Sequence, residues 1–228
     1  MPSAPPPRVA VRLTAEAVGT ALLLAAVVGS GIMASRLSAD SRGLALLANT
    51  VATGAALVAL ILALGHVSAH FNPAVTLAAV ASGALRAREG AAYVTVQVAA
   101  ALLGVALAHV MFGEPLFLAS RQPRAGLGIV VSEFVATFGL LLVIRGCERG
   151  RPEAVPFAVG AWITAGYRFT ASTSFANPAV TIARALTDTF TGIRPADVPL
   201  FVLAQLAGAA VATALDRRLN RVPDGGGR

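Results

Sequence analysis

One seven-residue phrase occurs twice in this chain with a single mismatch, as Asn-Pro-Ala-Val-Thr-Leu-Ala at Asn72–Ala78 and Asn-Pro-Ala-Val-Thr-Ile-Ala at Asn177–Ala183. The copies begin 105 positions apart (177 − 72) in a chain of 228 residues, which indicates an internal duplication. Because asparagine is a good N-cap and proline suits the first helical position, each copy predicts the start of a helix. These helices, over 72–82 and 177–186, have about ten residues each, enough for half a bilayer.

The chain as a whole has the composition of a membrane protein: 56% of its residues are hydrophobic and 13% are charged, whereas a soluble domain carries about 25% charged residues. Its apolar blocks predict six spans, at 11–35, 44–67, 91–112, 127–145, 154–169 and 198–215. The first block is too long for a signal peptide and carries Glu16, so we interpret it as a retained span.

The spans and short helices together predict an all-α membrane protein with six transmembrane helices and two re-entrant half-helices in an inverted repeat. The first repeat covers residues 9–113 and the second covers 127–219, with a connecting loop at 114–126. The ends, 1–8 and 220–228, are rich in proline or glycine and are predicted to be disordered.

The net charge of +7 comes from arginine alone, since the chain has no lysine. The arginines lie at the ends of apolar blocks and form no basic stripe, so no nucleic-acid partner is expected. Eleven of the 18 lie at the termini and alternate connections, which predicts cytoplasmic termini in a plasma (inner) membrane. Abundant alanine and arginine without lysine suggest a bacterial genome rich in G and C.

With three spans and one half-helix per repeat, the two half-helices enter the membrane from opposite sides and meet near its middle. The irregular loops before them must be buried in protein or line an aqueous cavity, because lipid cannot solvate them. Two positive helix ends disfavour cations, while the asparagine side chains can hydrogen-bond a neutral molecule. The arrangement predicts a path for small neutral solutes and water.

Two carboxylates occupy equivalent places in the first span of each half, Glu16 in Ala-Glu-Ala-Val-Gly-Thr and Glu133 in Ser-Glu-Phe-Val-Ala-Thr. A carboxylate inside a membrane is costly and functional by default. We favour a supporting role, in which each accepts hydrogen bonds from a non-helical loop; the alternative is a proton relay in a coupled transporter. His66 and His70 are expected to hydrogen-bond within the first loop and pore wall, since nothing nearby completes a metal site.

The residues Gly65–Thr76, Ser174–Ala179 and the paired glutamates resemble the aquaporin, or major intrinsic protein, family. The resemblance implies a passive channel without cofactor or metal, assembled as a homotetramer in the bilayer with one pore per subunit. By this resemblance, the two pore motifs consist of Asn72, Pro73, Ala74, Asn177, Pro178 and Ala179.

The chain departs from the family at the filter, where an arginine usually follows the second Asn-Pro-Ala and Val180 stands instead. The aromatic filter position falls on Thr53, and the others on Thr164 or Ala165 and on Ser174 or Phe175. An arginine-free, wide filter should pass glycerol-sized solutes. Such filters resemble those of bacterial members linked to arsenic handling, which suggests arsenite or methylated arsenicals.

Several alternatives remain open in the sequence. Arg184, one turn beyond Val180, is either a displaced filter charge at the outer mouth or an arginine that snorkels or pairs with Asp188. A water-selective aquaporin and an ion-coupled inverted-repeat transporter are the alternative functions. An enzyme is not expected, because the membrane segments show no nucleophile–base pair or metal-ligand set.

Overall fold

A computed structural model describes residues 7–220 of the chain. Residues 1–6 and 221–228, which make up most of the two segments predicted to be disordered, lie outside the described residues. Arg8 and Asn220 flank the first and last helices.

The described residues form eight α-helices: α1 (Val9–Leu37), α2 (Arg42–Leu64), α3 (Pro73–Ala81), α4 (Ala87–Phe112), α5 (Leu127–Gly150), α6 (Val155–Phe169), α7 (Pro178–Arg184) and α8 (Val198–Leu219). Short 3₁₀ turns at Pro152–Ala154 and Pro195–Asp197 precede α6 and α8. Residues 7–220 contain no β-strand.

Five helices, α1, α2, α4, α5 and α8, are long and apolar enough to cross a membrane. Helix α6 has 15 residues, about 22 Å of rise, which is shorter than the ~30 Å hydrocarbon core. The 3₁₀ turn before α6 lengthens this element, and α6 packs between α2 and α5 as the sixth member of the bundle.

The packing repeats between the two halves of the chain. Helix α1 packs along α4 as α5 packs along α8, and α2 meets α6 between the halves. A glycine lies at each equivalent crossing: a Cβ at Gly104 would overlap the carbonyl oxygen of Ala21, and one at Gly208 would lie 2.5 Å from the carbonyl oxygen of Phe134. These glycines therefore let the paired helices approach closely.

The two short helices, α3 and α7, each pack against helices of both repeats. Helix α3 packs against α4 of its own repeat and α8 of the other, and α7 packs against α8 and α4 in the same way. The two short helices also contact each other. This exchange holds their N-terminal ends together in the interior and gives the inverted-repeat, aquaporin-like fold predicted from the sequence.

We call the side of the bundle that carries the connections 38–41, 113–126 and 185–197 the far side. The side that carries the chain ends is the terminal side.

Candidate functional site

Both asparagines of the repeated phrase cap their short helices. Asn72 and Asn177 have extended backbones followed by proline at the first helical position. Asn72 Oδ1 accepts a hydrogen bond from the Ala74 N–H at 2.9 Å, and Asn177 Oδ1 accepts from the Ala179 N–H at 3.0 Å. The carbonyl end of each amide is therefore used to start a helix, as the sequence predicts.

The other end of each amide reaches across to the opposite repeat. Asn72 Nδ2 donates to the carbonyl oxygen of Ala176 at 2.7 Å, and Asn177 Nδ2 donates to the carbonyl oxygen of Phe71 at 2.7 Å. Each acceptor belongs to the residue just before the other asparagine. The two loops are thus joined by a reciprocal pair of hydrogen bonds.

The residues that supply those carbonyls have unusual backbones. Phe71 has φ 49° and Ala176 has φ 48°, in the left-handed region that non-glycine residues seldom adopt. A carboxylate holds each in place: the Phe71 N–H donates to Glu16 Oε2 at 2.7 Å, and the Ala176 N–H donates to Glu133 Oε2 at 2.9 Å. The two buried glutamates therefore bind loop N–H groups, the contact that the sequence interpretation assigned to them.

The sequence reasoning missed two glutamines that complete these clusters. Gln97 Nε2 donates to Glu16 and to the Thr76 hydroxyl, both at 2.9 Å. Gln205 Nε2 donates to Glu133 at 2.6 Å and to the Thr181 hydroxyl at 2.8 Å. Their signal is a buried amide at equivalent places in the last span of each repeat, which reappears once the halves are aligned.

A cavity of about 110 Å³ lies at the meeting point of the two loops. Asn72, Asn177 and the loop residues form one wall. The opposite wall is apolar and includes Leu57, Leu140, Val159 and Ile163. One polar and one apolar wall suit a small molecule that carries hydroxyls on one side, because the amides can replace part of its hydration.

Further cavities lie at both ends of this central cavity. On the far side, a cavity of about 330 Å³ shares Arg184 with it. On the terminal side, a cavity of about 610 Å³ shares His70 and Glu148 with it. The central cavity therefore shares lining residues with one cavity on each side of the bundle.

Comparison with known proteins agrees with this architecture. A sequence profile described as "Major intrinsic protein" matches residues 7–163, more than half of the chain. The chain belongs to the major intrinsic protein family. Its members are membrane channels and not enzymes. A channel agrees with the presence of a central cavity and of a further cavity toward each side of the bundle.

Two relatives illustrate the similarity. The chain is 58% identical over 209 residues to aquaglyceroporin AqpS of Rhizobium meliloti, covering 91% of this chain and 89% of that protein. It is 28% identical over 232 residues to aquaporin Z of Bradyrhizobium diazoefficiens, covering 94% and 95%. Among solved structures, the aquaglyceroporin from Plasmodium falciparum superimposes with a TM-score of 0.70 at 21% identity, over 93% of this chain and 98% of that one. This last likeness concerns the fold alone.

Most of the family's filter positions, as assigned from the sequence, lie on the central cavity. Thr53, Ser174, Phe175 and Val180 all line it. Val180 is 5% exposed and its N–H donates to Asn177 Oδ1 at 3.3 Å, so the valine side chain is held beside the second pore motif.

The position on α6 differs from the sequence assignment. Thr164 points at the crossing with α2, where a Cβ on Gly54 would overlap its hydroxyl, and Ala165 faces a groove beside Trp162. Ile163 and Tyr167 line the cavity instead of these two. The assigned residues do not line the cavity because α6 packs with Thr164 against α2. Residue spacing alone does not reveal this rotation of the helix.

Arg184 also lies on the cavity, so the wall is not free of arginine. It is 1% exposed and donates through Nε to the carbonyl oxygen of Thr191. Its guanidinium carbon lies 3.4 Å from the centroid of the Phe175 ring. The alternative of an arginine that snorkels to the surface is therefore wrong.

Asp188 does not pair with Arg184. Its Oδ1 accepts from the Arg121 backbone N–H at 2.9 Å, and its Oδ2 lies 2.6 Å from Arg121 Nε. These hydrogen bonds, the backbone one first, hold the pKa of Asp188 below its ordinary value. The pair of Arg184 with Asp188 that was considered from the sequence does not form, because Arg121 in the 113–126 connection hydrogen-bonds to the carboxylate instead.

Arg124 is a second arginine of this site, and unlike Arg184 it was not among the residues expected from the sequence. It lies on the 113–126 connection, and its Nε donates to the carbonyl oxygen of Gly192 at 2.8 Å and its Nη1 to that of Ser172 at 3.1 Å. Burial lowers the pKa of its guanidinium, although an arginine starts so high that it stays charged near neutrality. No pattern in the sequence signals it, because its partners are backbone carbonyls distant along the chain.

The histidines behave differently from each other. His70 lies on the central cavity with Nδ1 3.1 Å from the Thr76 hydroxyl, whereas His66 is exposed at the terminal-side cavity. Within residues 7–220, no group of three or more His, Cys, Asp or Glu side chains is arranged to hold a metal ion.

Proposed function

We propose that this channel passively conducts small uncharged solutes of glycerol size, with water, and that neutral arsenicals belong to this class. The observation that carries the proposal is Val180, which takes the place of the family's filter arginine on the wall of the central cavity. Replacing arginine by valine removes a fixed charge and several hydrogen-bond donors at that point. Thr53 lines the same cavity. Its side chain is smaller than the aromatic ring that the family often has at this position, which leaves a wider filter.

The shape of the cavity supports glycerol-sized solutes. Arsenite at neutral pH is a neutral molecule with three hydroxyls, and methylated trivalent arsenicals replace hydroxyls with methyl groups. The amides of Asn72 and Asn177 can hydrogen-bond the hydroxyls, while Val180 and Ile163 offer apolar contact to a methyl group or carbon backbone. The name aquaglyceroporin of the 58% identical relative agrees with a solute of this size.

The setting is proposed to be a bacterial plasma (inner) membrane, with both termini in the cytoplasm and the far side facing out. The arginine distribution supports this orientation through the positive-inside rule. A homotetramer with one pore per subunit is proposed from the family resemblance. Cysteine accessibility at the two sides and the mass of the purified detergent complex test these two points.

A solute panel in proteoliposomes tests the function. Stopped-flow light scattering would follow water, glycerol, urea, arsenite and a methylated arsenical, each down its own gradient, with protein-free vesicles as the control. We expect glycerol and the arsenicals to pass together with water. Water flux without glycerol flux would instead support the water-selective alternative, and uphill accumulation driven by a proton gradient would support a coupled transporter.

A further inference from the structure

The cavity on the far side of the pore is lined by three arginines, Arg42, Arg124 and Arg184. Its other lining residues include Asn49 and Thr173 but no aspartate or glutamate. Arg184 forms the wall between this cavity and the central cavity. The entrance to the pore from the far side therefore carries concentrated positive charge.

The arginines of this cavity form no ion pair with a carboxylate in the described part of the chain. Six arginines elsewhere in residues 7–220 form ion pairs with carboxylates: Arg12, Arg36, Arg121, Arg145, Arg149 and Arg194. The three in the far-side cavity are not among them. Asp197 accepts the backbone N–H of Arg124 at 2.8 Å through Oδ2 and pairs with Arg194 through Oδ1.

Arg184 additionally has a donor without an acceptor. Its Nη1 is buried and has no hydrogen-bond partner in the described residues, although Nε is bonded to Thr191. A buried donor without a partner costs about 1–3 kcal/mol, and more when the group is charged. Arg184 itself lines the far-side cavity, so an acceptor bound there would add a partner for its guanidinium group.

The guanidinium groups of Arg124 and Arg184 both lie over the ring of Phe175. The guanidinium carbon of Arg184 lies 3.4 Å from the centre of its ring, and that of Arg124 lies 4.9 Å from it. Arg124 is also fixed by its bonds to Gly192 and Ser172. Two like charges anchored around one ring form a preorganised site, so a ligand need not order the side chains.

We propose that the far-side cavity binds a small oxyanion from solution between Arg124 and Arg184, with Arg42 at its rim, and that the bound ion obstructs the pore. Planar guanidinium forks favour ligands with several oxygens over a spherical halide. The ion stays at the arginines because the central cavity beyond Arg184 carries no compensating charge from an arginine fork and its apolar residues replace none of the ion's hydration. Occupancy then reduces the passage of neutral solutes.

Binding is tested on the full-length protein purified in detergent without added lipid, so that a soluble ion and a lipid headgroup are separated. Thermal unfolding is compared in sodium sulfate and in sodium chloride at equal ionic strength. We expect sulfate to raise the unfolding temperature of the native protein. Arg42→Gln should diminish this shift without unfolding the protein, since Arg42 is exposed at the start of α2.

Arg36→Gln is the matched control, because Arg36 also lies on the far side but pairs with Glu114 and does not line the cavity. It should keep the full sulfate shift. Arg184→Lys keeps a charge but loses the fork, so it should reduce the preference for sulfate over chloride. Equal sulfate shifts in Arg42→Gln and Arg36→Gln, or no shift specific to sulfate in the native protein, would overturn the site.

Obstruction is tested in proteoliposomes with glycerol as the solute and sulfate on both sides of the membrane. We expect sulfate to lower glycerol permeability several-fold relative to chloride, and Arg42→Gln to relieve the effect. Glycerol flux without sulfate tests the proposed function by itself, so the two failures are distinguishable. Unchanged glycerol flux at saturating sulfate, or passage of radiolabelled sulfate through the channel, would overturn the obstruction.

Discussion

The Tyr167 hydroxyl donates to the Thr53 hydroxyl at 3.4 Å, joining α6 to α2 beside the central cavity. Thr53 is a filter position anticipated from the sequence, whereas Tyr167 is not. The pair shows that an aromatic side chain is present near the filter, although it comes from the opposite repeat. In the proposed filter, Tyr167 on α6 thus places an aromatic ring beside Thr53, the α2 position where the family resemblance leads us to expect one.

Substitution of Tyr167 should change the size limit of the pore. Tyr167→Leu removes the width of the ring but keeps apolar packing, so we expect it to admit a larger polyol such as erythritol relative to glycerol. Tyr167→Phe loses only a long hydrogen bond and should leave this ratio close to native. Stopped-flow permeabilities of the two polyols in vesicles measure it; an unchanged ratio in the leucine variant would mean that Tyr167 does not set the limit.

Val180→Arg should restore a bulky charged side chain at the filter. Because the long side chain fills space beside Asn177, flux of glycerol and arsenite should fall more than flux of water. Val180→Leu is the control, since it adds volume without charge and should have a smaller effect. Solute and water permeabilities from the same vesicles provide the comparison, and equal losses for both would remove Val180 from the selectivity argument.

Glu16→Gln should destabilise the folded channel. The native carboxylate accepts four hydrogen bonds, from the Ser68 hydroxyl, the His70 and Phe71 N–H groups and Gln97 Nε2. A glutamine turns an NH₂ group toward donors, and hydrogen bonds to a charged group contribute about 1.5–3 kcal/mol each. We expect a loss of several kcal/mol, seen as a lower unfolding temperature in detergent.

Glu114→Gln is the matched control for that experiment, because its ion pair with Arg36 is partly exposed and such pairs contribute about 0–1 kcal/mol. Similar unfolding temperatures for the two variants would contradict the supporting role of Glu16.

Gly104→Ala tests the close crossing of α1 and α4. A methyl group there would overlap the Ala21 carbonyl oxygen and lie 2.7 Å from Leu24 Cβ, so the helices must separate. Gly128→Ala is the control, since no atom lies within 4 Å of its Cβ position and alanine favours a helix by about 1 kcal/mol. We expect a lower yield of folded protein for the first variant alone, measured by size-exclusion chromatography; equal yields would show that the crossing tolerates a methyl group.

The sequence revealed the parts of the site that are duplicated. Asn72 and Asn177, like Glu16 and Glu133, stand at equivalent places in two halves of similar pattern, so each supports the assignment of the other. Local chemistry was also sufficient there, because an asparagine followed by proline starts a helix wherever it lies.

The remaining site residues depend on tertiary packing that the sequence does not show. The rotation of α6 about its own axis decides whether Thr164 or Tyr167 faces the pore. Successive side chains on a helix point about 100° apart, so an error of one residue in the assignment selects a different face of the helix. Arg124 and Arg184 contact backbone carbonyls of loops distant along the chain. No periodicity or motif records such contacts, so an arginine near the filter could be suspected but not located.

The reciprocal hydrogen bonds between Asn72 and the Ala176 carbonyl and between Asn177 and the Phe71 carbonyl have a consequence for assembly. Each loop depends on the other for one polar contact, because the acceptor for each asparagine N–H is supplied by the other half of the chain. The membrane spans can insert in the order of synthesis, but these hydrogen bonds form only after Ala176 and Asn177 have been added to the chain. A chain that stopped before residue 176 would therefore lack both of the hydrogen bonds that join the two loops at the centre of the bundle.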